Sequence, residues 1–279
     1  MTPDTATFIS GRRDGSGNLV ETGDQGPTLE AARFGGEILC LLGGRPAAAD
    51  LRLLADCRRG PAFAMTRESE RPSLGATYYG NRLRQLAGTT ADQPAAIARW
   101  VAEQVFADGK VAVDGDDLFY AIRSLMIIGA RQSPRQEEAV RSFLAGCSAA
   151  DGGYGLMPGE PPDIERTYCG IAIRQWLGTP GDLASVHGHR DFVESCFDGH
   201  GHMRMRPGKP DWSLATGYWG SRCAELLRLE WPWHQVLAAT QACRQADGGY
   251  ASSDRSTLWE TYCALRVSAI ATRLAGGPA

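Results

Sequence analysis

No stretch of this 279-residue sequence is apolar for the ~18 residues that a bilayer span requires, so no membrane span is expected. Basic residues are in short supply as well. The 29 Lys and Arg are outnumbered by 32 Asp and Glu, and the net charge is −3. A nucleic-acid surface needs a clustered basic excess, so no nucleic-acid partner is expected. Met1 to Gly17 carries no apolar run, and no signal peptide is expected there. The eight cysteines form no Cys-x-x-Cys pair, which removes the usual spacing of a structural zinc site. Cys40, Cys169, Cys223 and Cys263 lie inside apolar helical segments, and Cys57, Cys147, Cys196 and Cys243 recur at one place in a repeat. Buried thiols in a reducing cytoplasm are the expectation for all eight.

What the sequence does contain is self-similarity. Ser73-Leu-Gly-Ala-Thr-Tyr-Tyr-Gly80 aligns with Asp163-Ile-Glu-Arg-Thr-Tyr-Cys-Gly170 and with Asp114-Gly-Asp-Asp-Leu-Phe-Tyr-Ala121. Ser213 to Gly220, Thr257 to Ala264 and, more divergently, Thr28 to Gly35 fit the same frame. The starts at 28, 73, 114, 163, 213 and 257 are 41–50 residues apart, so no copy is skipped. A Leu-Gly or similar glycine ends the apolar segment in most copies, as at Gly43, Gly88, Gly129 and Gly178.

Each copy also has an upstream half. Phe143 to Tyr154 ends in Asp151-Gly-Gly-Tyr154, and Val236 to Tyr250 ends in Asp247-Gly-Gly-Tyr250. Leu51 to Phe63 and Phe192 to Met203 are weaker versions. An upstream half reads as an amphipathic helix, with a left-handed glycine expected to terminate it. A loop of about ten to fifteen residues follows, then a helix capped by Ser, Thr or Asp. The second helices carry small and aromatic residues on both faces and should be buried all round. Six such pairs predict an all-α chain, one α6–α6 barrel domain over residues 1–279, with six inner helices around a cavity.

The combination of Cys-x-x-x-Asp-Gly-Gly-Tyr, then Asp/Ser-x-x-x-Thr-Tyr-x-Gly, then Leu-Gly, resembles the repeat shared by protein prenyltransferase β-subunits and the squalene–hopene and terpene cyclases. It extends from about Phe8 to Leu274. The resemblance implies an α6–α6 barrel whose cavity holds an isoprenoid chain. In protein prenyltransferases a catalytic zinc is held by an Asp-x-Cys and a His. Those slots fall here on Asp211-Trp-Ser213 and on Glu260. Serine is a poor zinc ligand, so no metal site and no zinc-dependent prenylation are expected. The family's diphosphate-binding Arg-x-x-Lys is matched by Arg206-Pro-Gly-Lys209, with Arg204 nearby. A solvated basic loop is the competing reading of those three residues.

Asp114-Gly-Asp-Asp117 is similar to the Asp-x-Asp-Asp motif of class II terpene cyclases and occupies the same slot, at the start of an inner helix. Protonating an alkene needs a strong, aimed acid, and crowded carboxyls cannot all ionise. The resemblance implies Asp116 as general acid, supported by Asp114 and Asp117. Helix capping alone is the competing reading, since Asp114 also sits at an N-cap and acidic first turns suit the helix dipole. Glu165, Arg166 and Glu260 fall in the register of Asp116, where they could bind substrate or pair with one another. Tyr78, Tyr79, Phe119, Tyr120, Tyr168, Tyr218, Trp219, Trp259 and Tyr262 are expected near the interior, where aromatic faces stabilise carbocations or simply fill a core. His187, His189, His200 and His202 lie in glycine-rich sequence and are expected on surface loops.

The sequence therefore points to a cytoplasmic class II terpene cyclase-like isomerase acting on an isoprenoid, such as farnesyl or geranylgeranyl diphosphate. It needs no cofactor for protonation, and magnesium is the ion that a diphosphate substrate would admit. A non-catalytic isoprenoid-binding barrel, or one cyclising a non-terpene product, stays open. A homo-oligomer is compatible with all three.

Overall fold

The computed structural model describes residues 4–22, 25–178 and 183–275, the side chains of 183–185 and 275 excepted. Among these are twelve helices and four two-residue strands. In chain order the helices are α1 (Thr5–Gly11), α2 (Leu29–Leu41), α3 (Ala48–Asp56), α4 (Leu74–Leu86), α5 (Pro94–Val105), α6 (Gly115–Ile127), α7 (Pro134–Cys147), α8 (Ile164–Trp176), α9 (Leu183–Ser195), α10 (Leu214–Leu227), α11 (Trp233–Ala242) and α12 (Leu258–Ala275). The chain forms two compact units. One comprises residues 1–107, 120–132 and 244–262, the other 108–119, 133–243 and 263–279. The division passes through α6 and α12 as well as through the connecting segments at residues 107–108, 132–133 and 243–244.

The even-numbered helices are the second helices of the repeat, and each begins one residue after its expected cap. The side chains of Thr28, Ser73, Asp163 and Ser213 each accept the N–H three residues on. Asp114 accepts from Asp117 at 2.9 Å and Thr257 from Glu260 at 3.0 Å. Each cap satisfies one of the amide donors that a helix start leaves without a partner. The second helices are buried over several faces, as in α4, where Leu74 to Asn81 and Leu83 are all buried. The first helices bury one stripe, such as Ile97, Val101 and Val105 of α5.

The recurring motifs turn out to be joints. The threonine side chains of Thr77, Thr167 and Thr261 accept the backbone N–H groups of Phe63, Tyr154 and Tyr250 at 3.0–3.2 Å. One turn later, a Cβ on Gly80 or Gly170 would lie 2.7 or 2.6 Å from the ring of Phe63 or Tyr154. The Thr-x-x-Gly pattern thus clamps an aromatic residue of the preceding loop against the second helix.

The Asp-Gly-Gly segments differ from expectation. They do not terminate the first helices, because α7 has already ended at Cys147 and α11 at Ala242. Each forms a tight turn in a small hairpin, with Ser148 bridged to Tyr154 and Arg244 to Tyr250. The aspartates stabilise these turns: Gly153 N–H donates to Asp151 at 3.1 Å and Gly249 N–H to Asp247 at 2.9 Å. Gly152 and Gly248 supply the positive φ (both 88°). Asp14 and the Arg13–Leu19 bridge build the same turn after α1. That first half-repeat is hard to see in sequence because Asp14-Gly-Ser-Gly17 lacks the flanking tyrosine.

Gly43, Gly88, Gly129 and Gly178 do take left-handed conformations (φ 65–83°) at the ends of second helices. At α10 the same position is Arg228, held at φ 53°. A side chain with a Cβ costs roughly 1–2 kcal/mol there, while glycine loses more entropy on folding. Arg228→Gly is expected to raise stability by about 0.5 kcal/mol and Tm by about 1–2 °C, measured by calorimetry.

All eight cysteines are free thiols, and all but Cys40 are buried. Cys57, Cys147 and Cys196 sit at or just past helix ends, where their carbonyls accept N–H groups from the returning hairpin strand at 2.9 Å. Burial pushes these three thiols up to about 11, 11 and 12.

Candidate active site

The starts of α6 and α8 bring together the main acidic residues singled out in the sequence. Asp116 is the second residue of α6 and Arg166 the third of α8. Arg166 Nη2 donates to Asp116 Oδ2 at 2.7 Å. Its Nη1 reaches Glu165 Oε2 at 2.5 Å and lies 3.5 Å from Asp163 Oδ2. One guanidinium therefore serves three carboxyl groups. Asp163 is also the cap of α8, with Oδ1 accepting the Arg166 N–H at 2.9 Å. All four side chains are largely shielded, from 9% exposed at Asp163 to 29% at Asp116.

Two opposed effects set the protonation of this cluster. Burial pushes the Asp116 carboxyl above its ordinary value, Arg166 pulls it down, and Asp114 and Asp163 push it up again. The net direction is upward. Burial likewise raises Glu165, to about 7, against the pull of Arg166. Asp117 is raised by burial and by its two aspartate neighbours. Asp114 is engaged as the α6 cap through the Asp117 N–H. Asp116 Oδ1 is buried and has no hydrogen-bond partner among the described residues.

The helical spacing places an aromatic layer one turn further along. Phe119 lies three residues after Asp116, and Tyr168 three after Glu165. Their rings meet edge to face with centroids 5.5 Å apart, and Tyr168 meets Tyr218 in the same way at 6.2 Å. Arg222 stands over the Tyr168 ring at 5.7 Å. Trp219 is half-buried beside Tyr218 on α10.

The basic segment is an exposed turn, closed by Lys209 N–H donating to Arg206 at 3.3 Å and by Gly208 at φ 70°. Arg206 and Lys209 are exposed and Arg204 is half-buried. The turn is anchored to the acidic cluster's own helix, since the Ile164 N–H donates to the Met205 carbonyl at 3.0 Å. The slots of the family's zinc ligands perform structural tasks: Ser213 caps α10, and Glu260 accepts the Ser252 N–H at 3.2 Å. Among the described residues, no group of three or more His, Cys, Asp or Glu is placed to hold a metal ion.

In the other unit, Tyr78, Tyr79, Tyr120, Trp259 and Tyr262 form an aromatic cluster with Phe34. Centroid separations run from 4.7 Å for Phe34–Trp259 to 6.3 Å for Phe34–Tyr79. The cluster surrounds a buried guanidinium. Arg33 lies 4.4–5.9 Å from the ring centroids of Phe34, Tyr78, Tyr79 and Tyr262. The Tyr79 hydroxyl donates to Glu30 at 2.9 Å. Arg33 is absent from the sequence-derived set. Its signal was one cation in the otherwise small and apolar stretch Ala31-Ala-Arg-Phe-Gly35, on a helix buried all round.

Two of the four histidines depart from the surface-loop expectation, while His200 is exposed in the loop after α9. His187 and His189 lie within α9, and His189 is 4% exposed. Its Nδ1 sits 2.5 Å from the Gly152 carbonyl and its ring 5.1 Å from that of Tyr154. Gly188 disguised the helix: it lets α9 approach the Asp151–Gly153 turn, where a Cβ on Gly152 would meet the Gly188 carbonyl. His202 is half-buried, bonded to Asp198 at 3.0 Å and set over Trp212 at 4.1 Å between ring centroids.

Residues 116–275 match the prenyltransferase alpha-alpha toroid domain, more than half of the chain. The chain belongs to this family. The toroid match begins at Asp116 itself. No curated protein matches the sequence. Solved structures do. Candida albicans protein geranylgeranyltransferase-I complexed with GGPP aligns with TM-score 0.68 at 11% identity, covering 88% of this chain and 84% of that one. A variant of the type II terpene cyclase MstE from Scytonema, in complex with geranylgeranyl dihydroxybenzoate, aligns with TM-score 0.66 at 12% identity, covering 96% and 95%. The ent-copalyl diphosphate synthase from Streptomyces platensis aligns with TM-score 0.58 at 15% identity, covering 88% of this chain and 51% of that one. At these identities the likeness establishes the toroid fold, as the six-copy repeat predicted. No helix among the described residues is long and apolar enough to cross a membrane.

Proposed function

We propose that this toroid protein is a class II terpene cyclase-like enzyme that cyclises an isoprenoid, with a prenyl diphosphate as the substrate class. The carrying observation is the shielded carboxyl cluster of Asp116, Asp163 and Glu165 on one guanidinium, one helical turn from the Phe119–Tyr168–Tyr218 aromatic layer. A carboxyl kept protonated near neutral pH can transfer its proton to an alkene carbon. The aromatic faces would stabilise the resulting cation. Asp114 raises the proton affinity of Asp116 and fixes the start of α6. Arg204, Arg206 and Lys209 would meet the diphosphate, with guanidinium and ammonium donors suited to phosphate oxygens. Trp219, beside Tyr218 on α10, completes the proposed substrate contacts of this unit. No donor set for magnesium is assembled among the described residues, and such an ion would be held mainly by the diphosphate oxygens.

The 2.7 Å contact between Arg166 and Asp116 favours a second reading, in which the cluster is a fixed ion-pair network and the toroid binds an isoprenoid or another apolar molecule without converting it. One experiment separates the two. The protein is incubated with farnesyl and geranylgeranyl diphosphate, treated with phosphatase and analysed by gas chromatography–mass spectrometry. A cyclic alcohol or alkene that disappears in the Asp116→Asn, Glu165→Gln double variant is the expected result. Tight binding with unchanged substrate would establish the binding reading, and no binding of either chain would overturn both.

A further inference from the structure

Within the proposed site, the geometry points to Glu165, rather than Asp116, as the residue that carries the reacting proton. The assignment follows by elimination among the three carboxyl groups that share Arg166.

Asp163 has one oxygen engaged as a hydrogen-bond acceptor and the other in an ion pair. Oδ1 takes the Arg166 backbone N–H at 2.9 Å, and Oδ2 faces Arg166 Nη1 at 3.5 Å. A proton on Oδ1 would set a donor against a donor, and one on Oδ2 would give up the ion pair with Arg166. Asp116 Oδ2 is closed in the same way by Arg166 Nη2 at 2.7 Å. Asp116 Oδ1 is buried with no acceptor in reach among the described residues, so an O–H there would be a buried donor without a partner. That costs more than leaving a carboxylate lone pair unfilled. Glu165 differs. Only Oε2 is engaged, by Arg166 Nη1 at 2.5 Å, and the side chain is 23% exposed, so Oε1 can hold a proton without a buried penalty.

Charge counting requires such a proton. Three carboxylates around one guanidinium leave two uncompensated negative charges in a shielded site, and one group takes up a proton to relieve them. The charged groups facing Glu165 are Arg166 and Asp163 at its own helix start and Asp116 from α6. Burial adds to the effect and pushes Glu165 up to about 7.

The step balances. The Glu165 O–H bond breaks and its proton passes to an alkene carbon. The alkene π pair forms the new C–H bond, and the neighbouring carbon becomes cationic. Glu165 is left as a carboxylate beside Arg166 and is reprotonated from solvent. Tyr168, three residues on, lies on the same helical face as Glu165. Asp116 is then a positioning residue, which holds Arg166 and keeps the proton affinity of Glu165 high.

This assignment rests on the cyclase reading for the fate of the proton, but not for its location, so two measurements test it. In the first, product formation is followed against pH for the wild type, Glu165→Gln and Asp116→Asn. Glu165→Gln is expected to lose about 100-fold or more while still binding the prenyl diphosphate. Asp116→Asn should keep more activity, with its alkaline limb moved to lower pH because Glu165 has lost a neighbouring negative charge. A silent Asp116→Asn beside a Glu165→Gln variant within tenfold of wild type would overturn the assignment. In the second, the glutamate carboxyl carbons are titrated by NMR without substrate. A resonance titrating near 7 that vanishes in Glu165→Gln supports the assignment even if no product forms. Titration of every glutamate below 5 overturns it.

Discussion

Gly152→Ala should be among the most damaging single-methyl changes in the protein, at about 4 kcal/mol or more, and the variant is expected to be recovered poorly. Two independent costs meet at this residue. Its φ of 88° belongs to the left-handed region, where a Cβ costs roughly 1 kcal/mol. The Cβ would also stand 2.0 Å from the Gly188 carbonyl oxygen of α9. That neighbour is backbone, so relief requires moving a whole helix against its packing. The matched control is Gly159→Ala. Its φ of 84° is nearly the same, but nothing lies within 4 Å of an added Cβ, so only the conformational cost of about 1 kcal/mol remains. Urea unfolding of both variants checks the comparison. Equal losses would show that the approach of α9 to the Asp151–Gly153 turn carries no energy.

Arg166→Met should lower stability by about 2 kcal/mol at pH 8 and by little at pH 4. Breaking a shielded ion pair by removing one partner is costly because the charges left behind stay desolvated. The partial exposure of these side chains reduces the figure. The sign follows from linkage. Without Arg166, the native carboxyls of Asp116 and Glu165 bind protons more tightly than in the unfolded chain, where they titrate near 4. Stability is then fully present below that range and is lost as pH rises through the raised native values. Thermal melts of variant and wild type between pH 4 and 8 should diverge steadily on the alkaline side. Parallel curves would mean that Arg166 does not neutralise the cluster. His189 contributes an opposite slope in both proteins and cancels in the difference. Burial lowers its pKa, so its stabilisation is present above the unfolded value of about 6.5 and is lost below it.

Much of the fold was legible from the repeat because each joint in it is local or nearly so. A Ser, Thr or Asp three residues before an amide it can cap marks a helix start to the residue, and all six second helices begin where those residues place them. The Thr-x-x-Gly pattern was equally visible, but its meaning was not. That a threonine side chain receives a loop amide while a glycine admits an aromatic ring becomes evident only when residues 11–17 positions apart are seen in contact. The Asp-Gly-Gly turns were misassigned to helix ends for the same reason. A left-handed glycine looks alike at a helix terminus and in a hairpin, and only the partner of the returning strand distinguishes them. His189 was misplaced because Gly188 weakens a helical signal locally, while the close approach that it permits is a tertiary fact.

The candidate site divides along the same line. By itself, the sequence determined that Asp114, Asp116 and Asp117 share one helix start, and that Glu165 and Arg166 occupy the equivalent start one repeat later, because caps and periodicity act over a few residues. Only the tertiary structure decided that Arg166 turns to Asp116 while also holding Glu165 and Asp163, and that a second guanidinium, Arg33, sits inside the aromatic cluster of the other unit. Which carboxyl keeps a proton depends on burial and on charges brought from another helix. Those terms are set by packing, and no spacing within one helix encodes them.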